Sequence, residues 1–217
     1  EGPRCFDITF DSLYDMEIRN MTVKDCPEAP AILGSINIIQ AGVASFIDCK
    51  WINNKVSAST GGGSGLSLQA PTSYKINFKN CLFENNTNTV GRGGSLQITY
   101  KCNIEDTTFK NNKSPQGGAI SFETTSTWTV DECTFENNMA TNGRGGAIYV
   151  NTNLGNAFTG SSIIKGSSFI NNTASNERGT MIGISESSES GGTITIEGSN
   201  TMKNVGETGF LISNGYN

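Results

Sequence analysis

The stretch Phe135-Glu136-Asn137-Asn138, answered by Gly145-Gly146-Ala147-Ile148, decides the architecture because both phrases recur along the chain. The first returns as Trp51-Ile52-Asn53-Asn54, Phe83-Glu84-Asn85-Asn86, Phe109-Lys110-Asn111-Asn112 and Phe169-Ile170-Asn171-Asn172. The second returns as Gly93-Gly94-Ser95-Leu96 and Gly117-Gly118-Ala119-Ile120, with looser copies at Gly63-Ser64-Gly65-Leu66 and Arg178-Gly179-Thr180-Met181. The aromatic position steps through 51, 83, 109, 135 and 169, at intervals of 32, 26, 26 and 34 residues. Fainter copies flank these at Met21-Thr22-Val23-Lys24-Asp25 and Met202-Lys203-Asn204. A period in this range marks a repeat architecture, in which each unit buries its apolar face only against its neighbours.

The repeats are not helical. They are rich in Gly, Asn, Ser, Thr and β-branched residues, without the runs of Ala, Leu, Glu and Lys that favour helix. Their apolar residues alternate, as in Ile76-Asn77-Phe78, Ile120-Ser121-Phe122, Ile148-Tyr149-Val150 and Ile194-Thr195-Ile196. A period of two in short runs predicts strands with one buried face. A β-propeller would require antiparallel four-strand blades, hairpin turns and a blade signature, none of which is present. The expectation is an all-β parallel β-helix forming a single domain over residues 1–217. Loop insertions between its strands account for the uneven intervals. At the usual strand spacing, about seven coils would make a stack roughly 35 Å long.

Side chains can be assigned within a coil. With the aromatic pointing inward, the residue two before it is inward too: Cys49, Cys81, Thr107, Cys133 and Ser167. The aromatics would then stack on one another and bury large areas. The second Asn of each pair falls at a turn, where Asn tolerates left-handed angles and its amide can bond neighbouring backbone, tying one turn to the next as a ladder. The Gly-Gly phrase marks another corner, at angles that only Gly adopts cheaply.

The pairing of Phe-x-x-Asn with Gly-Gly-Ala-Ile resembles the repeats of the polymorphic outer-membrane proteins of chlamydiae. Similar repeats occur in surface proteins of other microbes and protists. The best copies are Phe109-Lys110-Asn111-Asn112 with Gly117-Gly118-Ala119-Ile120, and Phe135-Glu136-Asn137-Asn138 with Gly145-Gly146-Ala147-Ile148. The resemblance spans roughly residues 45 to 185. It implies a right-handed parallel β-helix exposed at a cell surface, with a structural or adhesive role.

Composition narrows the partners. The net charge is −5 and the basic residues are scattered, so the basic face that nucleic acid requires is missing. No apolar run reaches membrane-spanning length. The opening Glu1-Gly2-Pro3-Arg4-Cys5 carries no initiator Met and no signal-peptide pattern, consistent with a processed secreted form or a piece of a longer chain. Six cysteines in an Asn/Ser/Thr-rich chain favour an extracellular setting. Cys5 and Cys26 are candidates to staple the amino-terminal coil. Cys49 and Cys81 share a repeat position in consecutive coils, near enough to bridge and equally able to stack as buried thiols. Glycosylation acceptors stand at Asn20, Asn85, Asn112 and Asn171. With 25 Asn and 46 Ser plus Thr, chance alone gives about five such sites, so four is no enrichment. Asn112, on the expected ladder, is the poorest acceptor of the four.

Many β-helix proteins cleave acidic polysaccharides with clustered carboxylates, aided by basic groups or calcium. The nearest candidate here is the outward column three residues before each aromatic: Asp48, Asn80, Asp106 and Glu132. Asp106 and Glu132 should be neighbours, with Glu105 and Asp131 beside them, where like charges would raise a pKa or recruit a cation. Solvated acids near a turn are the simpler explanation, and that face shows no recognisable basic partners. The chain contains no histidine, which removes the commonest general base and all His-based metal sites. The cysteines point inward and the glycine phrases lack the Lys-Ser/Thr of a phosphate loop. Arg92 and Arg144, each in Gly-Arg-Gly-Gly, read as solvated loop arginines, with sugar binding as the alternative. No cofactor and no enzymatic activity are expected.

Neither end of the chain carries an amphipathic capping helix. Cys5-Phe6-Asp7-Ile8-Thr9-Phe10 and Gly209-Phe210-Leu211-Ile212 both read as strand. The leading expectation is therefore an extracellular structural protein that stacks end to end into a fibre or forms part of a longer shaft. The alternatives are an adhesin contacting glycans or cell-surface molecules through the loops at 55–65, 86–93, 151–161 and 184–192, and a polysaccharide lyase or hydrolase.

Overall fold

The computed structural model describes residues 6–10, 15–27, 32–36, 42–57, 63–64, 66–69, 74–99, 101–123, 127–151, 160–175, 178–185, 192–203 and 210–213. Cys5 and most of the loops at 55–65, 151–161 and 184–192 lie outside that set.

All strand pairing among the described residues is parallel, and the strands form four sheets that run the length of a β-solenoid. The first sheet has eight strands: Phe6–Phe10, Ile32–Ile36, Leu66–Gln69, Leu96–Ile98, Ile120–Glu123, Ile148–Asn151, Arg178–Ile184 and Phe210–Ser213. The second has seven: Met16–Arg19, Val43–Ile47, Lys75–Lys79, Lys101–Glu105, Trp128–Asp131, Ser161–Lys165 and Thr193–Glu197. The third also has seven: Thr22–Lys24, Lys50–Ile52, Leu82–Glu84, Thr108–Lys110, Thr134–Glu136, Ser168–Ile170 and Thr201–Lys203. The fourth consists of the short strands Lys55–Val56, Thr87–Asn88, Lys113–Ser114, Met139–Ala140 and Thr173–Ala174. The chain visits the four sheets in this order and then starts the next coil. Five coils therefore contribute to all four sheets, where the sequence suggested about seven. The difference lies at the ends, whose coils lack the short fourth strand among the described residues.

The aromatic phrase forms the third sheet in strict register: Trp51, Phe83, Phe109, Phe135 and Phe169 pair one upon the next. Their ring centroids lie 4.5–4.9 Å apart with interplanar angles of 3–6°. Val23 and Met202 hold the same position in the flanking coils. Cys49, Cys81, Thr107, Cys133 and Ser167 form the adjacent buried column, as the alternation predicts. Across the interior, Phe46 and Phe78 stack at 5.3 Å and meet Trp51 and Phe83 edge-on. Burying each such side chain is worth about 1.5–3 kcal/mol.

The two asparagines of each pair divide the turn between them. The sequence assigned both the left-handed backbone and the ladder to the second Asn. The structure gives the left-handed angles to the first: Asn53, Asn85, Asn111, Asn137 and Asn171 have φ of 52–57°. The second Asn turns inward at Asn54, Asn86, Asn112, Asn138 and Asn172, all fully buried. Asn112 shows the pattern. Its Oδ1 accepts from the backbone N–H of Asn86 (3.0 Å) and from Asn86 Nδ2 (3.1 Å). Its own Nδ2 donates to Asn138 Oδ1 (3.0 Å) and to the carbonyl of Phe83 (2.9 Å). The same links join Asn54 to Asn86 and Asn138 to Asn172, and the Cys26 N–H donates to Asn54 Oδ1 at the amino-terminal end.

The Gly-Gly corner needs both residues for different reasons. Gly117 has φ of +67°. A Cβ on Gly118 would strike the carbonyl oxygen of Gly146 and the backbone of Met139 in the next coil.

Two substitutions at neighbouring positions separate these roles. Asn112→Ala strips partners from the buried amide of Asn86 and from the Phe83 carbonyl, at a cost of about 3 kcal/mol or more. Asn111→Gly keeps the left-handed turn and is expected to stay within about 0.5 kcal/mol of the parent. Urea unfolding followed by circular dichroism checks both; equal losses would refute the division of labour.

Candidate functional site

The candidate acids of the sequence occupy a corner of the coil. Asp48, Asn80, Asp106 and Glu132 have φ of 49–56°, and Gly166 and Gly198 continue the column at 57° and 74°. These are left-handed turn positions, which explains their enrichment in Asp, Asn and Gly. Asn80 Nδ2 donates to Asp48 Oδ1 at 2.6 Å. The Glu132 carboxylate lies over Gly166, in space that any side chain there would fill. Asp106 and Glu132 are exposed neighbours, as expected. A shallow open depression beside the column is lined by Arg19, Ile47, Asp48, Lys79, Asn80 and Asp106. Among the described residues no group of acids or cysteines could hold a metal ion.

Glu105 and Asp131 sit one residue earlier, at the end of the second sheet, and pair directly in register. The sequence left them without basic partners, and this is corrected by the structure. Lys79 Nζ lies 2.8 Å from Glu105, and Lys165 Nζ lies 2.8 Å from Asp131. Both lysines are pushed above their ordinary pKa, chiefly by these hydrogen bonds. Lys79 and Lys165 occupy the same register position as the acids in adjacent coils, so the column reads Lys, Glu, Asp, Lys and ends in Glu197. What looked like an unpaired acidic cluster is two adjacent acids flanked by lysines on either side, on a solvated edge.

A second polar cluster, on the outward face of the first sheet, escaped the sequence. Glu123 is only 2% exposed. Its carboxylate accepts from Gln97 Nε2 at 2.8 Å, from Ser121 Oγ at 3.2 Å and from Asn151 Nδ2 at 2.5 Å. Arg92 Nη1 stands 3.8 Å away. Arg92 also donates through Nε to Gln116 Oε1 at 3.0 Å and lies over the Tyr149 ring at 5.9 Å. Arg144 Nη1 donates to the carbonyl of Ile184 at 3.0 Å. Neither arginine is the solvated loop residue that its phrase suggested. The alternation Ile120-Ser121-Phe122-Glu123 was a usable signal: it places Ser121 and Glu123 on one outward face, where register adds Gln97, Tyr149 and Asn151. A carboxylate sealed this way, with its charge met by an arginine and three donors, holds adjacent coils together and is not presented to a substrate.

The cysteines and the glycosylation acceptors divide by burial and orientation. Cys26 is disulfide-bonded. Cys49 and Cys81 are free buried thiols, not a bridge, as are Cys102 and Cys133. The reason is orientation: Cys81 Sγ donates to the carbonyls of Lys79 and Phe46, and Cys49 Sγ to those of Ile47 and Ile18, so each thiol faces backbone and not its neighbour. Of the glycosylation acceptors, Asn20 and Asn85 are exposed and Asn171 is half-buried. Asn112 is fully buried with its amide nitrogen engaged twice, so it cannot carry a glycan in the folded chain.

With this geometry established, comparison with known proteins adds one finding. Residues 106–123 and 132–151 match the Chlamydia polymorphic membrane protein repeat. The two segments contain the aromatic-Asn-Asn and Gly-Gly-Ala-Ile phrases of adjacent coils, and the chain carries a β-helix repeat of that type. No curated protein and no solved structure matches the chain.

The thiols yield a pH prediction. Burial pushes Cys81 and Cys133 up to about 12, against an unfolded value near 8.5. Below pH ~8.5 the thiol is protonated in both states, and its contribution to stability is fully present. As the pH rises toward 12 the unfolded chain ionises first, and that contribution is lost. The urea midpoint should fall across this window. The fall should be shallower in Cys81→Ser/Cys133→Ser, which borrows the side chain already tolerated at Ser167. The parent-minus-variant slope isolates the thiols from the lysines that titrate in the same range, and an unchanged slope would count against their burial.

Proposed function

We propose that this chain is a non-enzymatic structural protein of a cell surface, a rigid β-helix that serves as scaffold or as a segment of a shaft or fibre. The observation that carries this reading is how the polar side chains are used. The acids that resembled a catalytic column are left-handed corner residues or partners of lysines, and the one deeply buried carboxylate among the described residues is sealed by Arg92, Gln97, Ser121 and Asn151. Polysaccharide cleavage needs an acid held in reach of a glycosidic oxygen with a second group opposite it. Side chains spent on coil-to-coil ladders do not serve that end. The surface setting is supported by the repeat, whose family is named for membrane proteins. No helix among the described residues is long and apolar enough to cross a membrane.

Incubation with a panel of acidic polysaccharides, with and without calcium, is expected to give no new reducing ends and no unsaturated products. Asp106→Ala/Glu132→Ala should leave that result unchanged and cost under about 1 kcal/mol, since Ala at Asp106 loses only the left-handed tolerance of Asp and Glu132 already carries the same Cβ. Turnover by the parent chain that this double variant abolishes would overturn the scaffold reading in favour of an enzyme.

A further inference from the structure

Asparagine carries an electrophile beside its own backbone: the nitrogen of the following residue can close a five-membered ring on Cγ. A hydrogen bond that commits that N–H holds the nitrogen off the side chain. The solenoid makes such a bond after most of its asparagines. The N–H groups following Asn53, Asn85, Asn111 and Asn137 donate to the next ladder Oδ1 at 3.0–3.1 Å. Those following the ladder residues Asn54, Asn86, Asn112, Asn138 and Asn172 donate to a carbonyl of the coil before at 2.8–2.9 Å. Those following Asn80 and Asn88 are taken by Thr107 Oγ1 and by the Val56 carbonyl.

Asn142 departs from this pattern. It is exposed. Among the described residues its side-chain amide makes no hydrogen bond, and the N–H of Gly143 has no acceptor. The residue after it is glycine for a packing reason: a Cβ at Gly143 would lie 2.6 Å from Gln116 Cγ in the coil before. Lacking that Cβ, Gly143 also offers the least hindered nitrogen. The segment is tied on both sides. Asn142 N–H donates to the Pro115 carbonyl at 3.2 Å, and the Arg144 carbonyl accepts from Gly117 N–H at 3.1 Å.

We propose that Asn142 is a modification site, deamidated without an enzyme to aspartate and isoaspartate through a succinimide formed with Gly143. The Gly143 nitrogen loses its proton to hydroxide and bonds to Asn142 Cγ. The Cγ–Nδ2 bond then breaks, and Nδ2 takes up a proton from water and leaves as ammonia. Water opens the ring at either carbonyl. Attack at Cγ gives aspartate; attack at the backbone carbonyl carbon of Asn142 gives isoaspartate, whose chain runs through the β-carboxyl. In sum one water is consumed and one ammonia released. Each product adds a negative charge to a chain of net charge −5. Isoaspartate also inserts a methylene between the Pro115 and Arg144 ties that hold this corner on the coil before. This modification goes beyond the scaffold reading and stands without it.

Peptide mapping by mass spectrometry follows the reaction in the full chain, aged in parallel folded and in denaturing urea at one pH. In the folded chain the Asn142 peptide should gain the mass difference between OH and NH2 and elute as two products. One of them should accept a methyl group from S-adenosylmethionine in the presence of an isoaspartyl methyltransferase. Folding should slow Asn142 less than about tenfold, and should slow Asn85, Asn111 and Asn137 by more than that, because their reaction waits on opening of the buried ladder. Asn142→Ser should lose both products and keep the circular dichroism spectrum of the parent. The site is overturned if folding slows Asn142 about tenfold or more, or if Asn85, Asn111 and Asn137 react as fast as Asn142 in the folded chain. Aspartate as the sole product would mean direct hydrolysis and would overturn the ring with Gly143.

Discussion

The structure depends on a buried row of asparagine amides. The aromatic column supplies more apolar burial, but stacked rings tolerate small shifts along the strand. The amides do not. From Asn86 to Asn172 each Oδ1 accepts two hydrogen bonds from the preceding coil, and from Asn54 to Asn138 each Nδ2 donates one forward to the next Asn and one back to the carbonyl at the aromatic position of the coil before. A slip of one residue would point the amide outward and leave those groups unpaired in the interior, at about 1–3 kcal/mol for each. The ladder thus fixes the register that brings Phe on Phe and Cys beside Thr, and the remaining columns follow from it.

Once register is fixed, every side chain has a copy of its own position above and below it, so surface chemistry is set by columns. One column runs Lys79, Glu105, Asp131 and Lys165, so Glu105 meets a lysine in the coil before it and Asp131 one in the coil after it. Another is a run of left-handed corners that selects Asn, Asp and Gly for backbone reasons alone. Around Glu123 a carboxylate is enclosed by groups from three successive strands of one sheet. In the first and last of these, polar side chains that would elsewhere be candidates for catalysis are engaged by their neighbours in the stack.

Much of this was legible in the sequence. The spacing of Trp51, Phe83, Phe109, Phe135 and Phe169 implied the parallel stack, and alternation implied the buried column of Cys49, Cys81, Thr107, Cys133 and Ser167. The ladder itself was anticipated at Asn54, Asn86, Asn112, Asn138 and Asn172. Its companion role was misassigned, because adjacent asparagines have the same chemistry and only backbone angles tell Asn53 from Asn54. The Lys79–Glu105 pair was missed for a different reason: 26 residues separate its members, and each stands alone until coils are aligned by register. Glu123 was overlooked because burial on an outward face arises from what packs over a sheet, which alternation along one strand does not encode. The acids at Asp106 and Glu132 attracted attention as chemistry when their positions were set by a left-handed turn.

The ladder also has a direction. From Asn54 to Asn138 each amide donates to the Asn of the next coil and accepts from the coil before, the first acceptor taking the backbone N–H of Cys26. Parallel strands share that polarity, so the two ends of the stack differ in chemistry as well as in sequence. The constraint that holds one coil on the next therefore also gives the stack its direction.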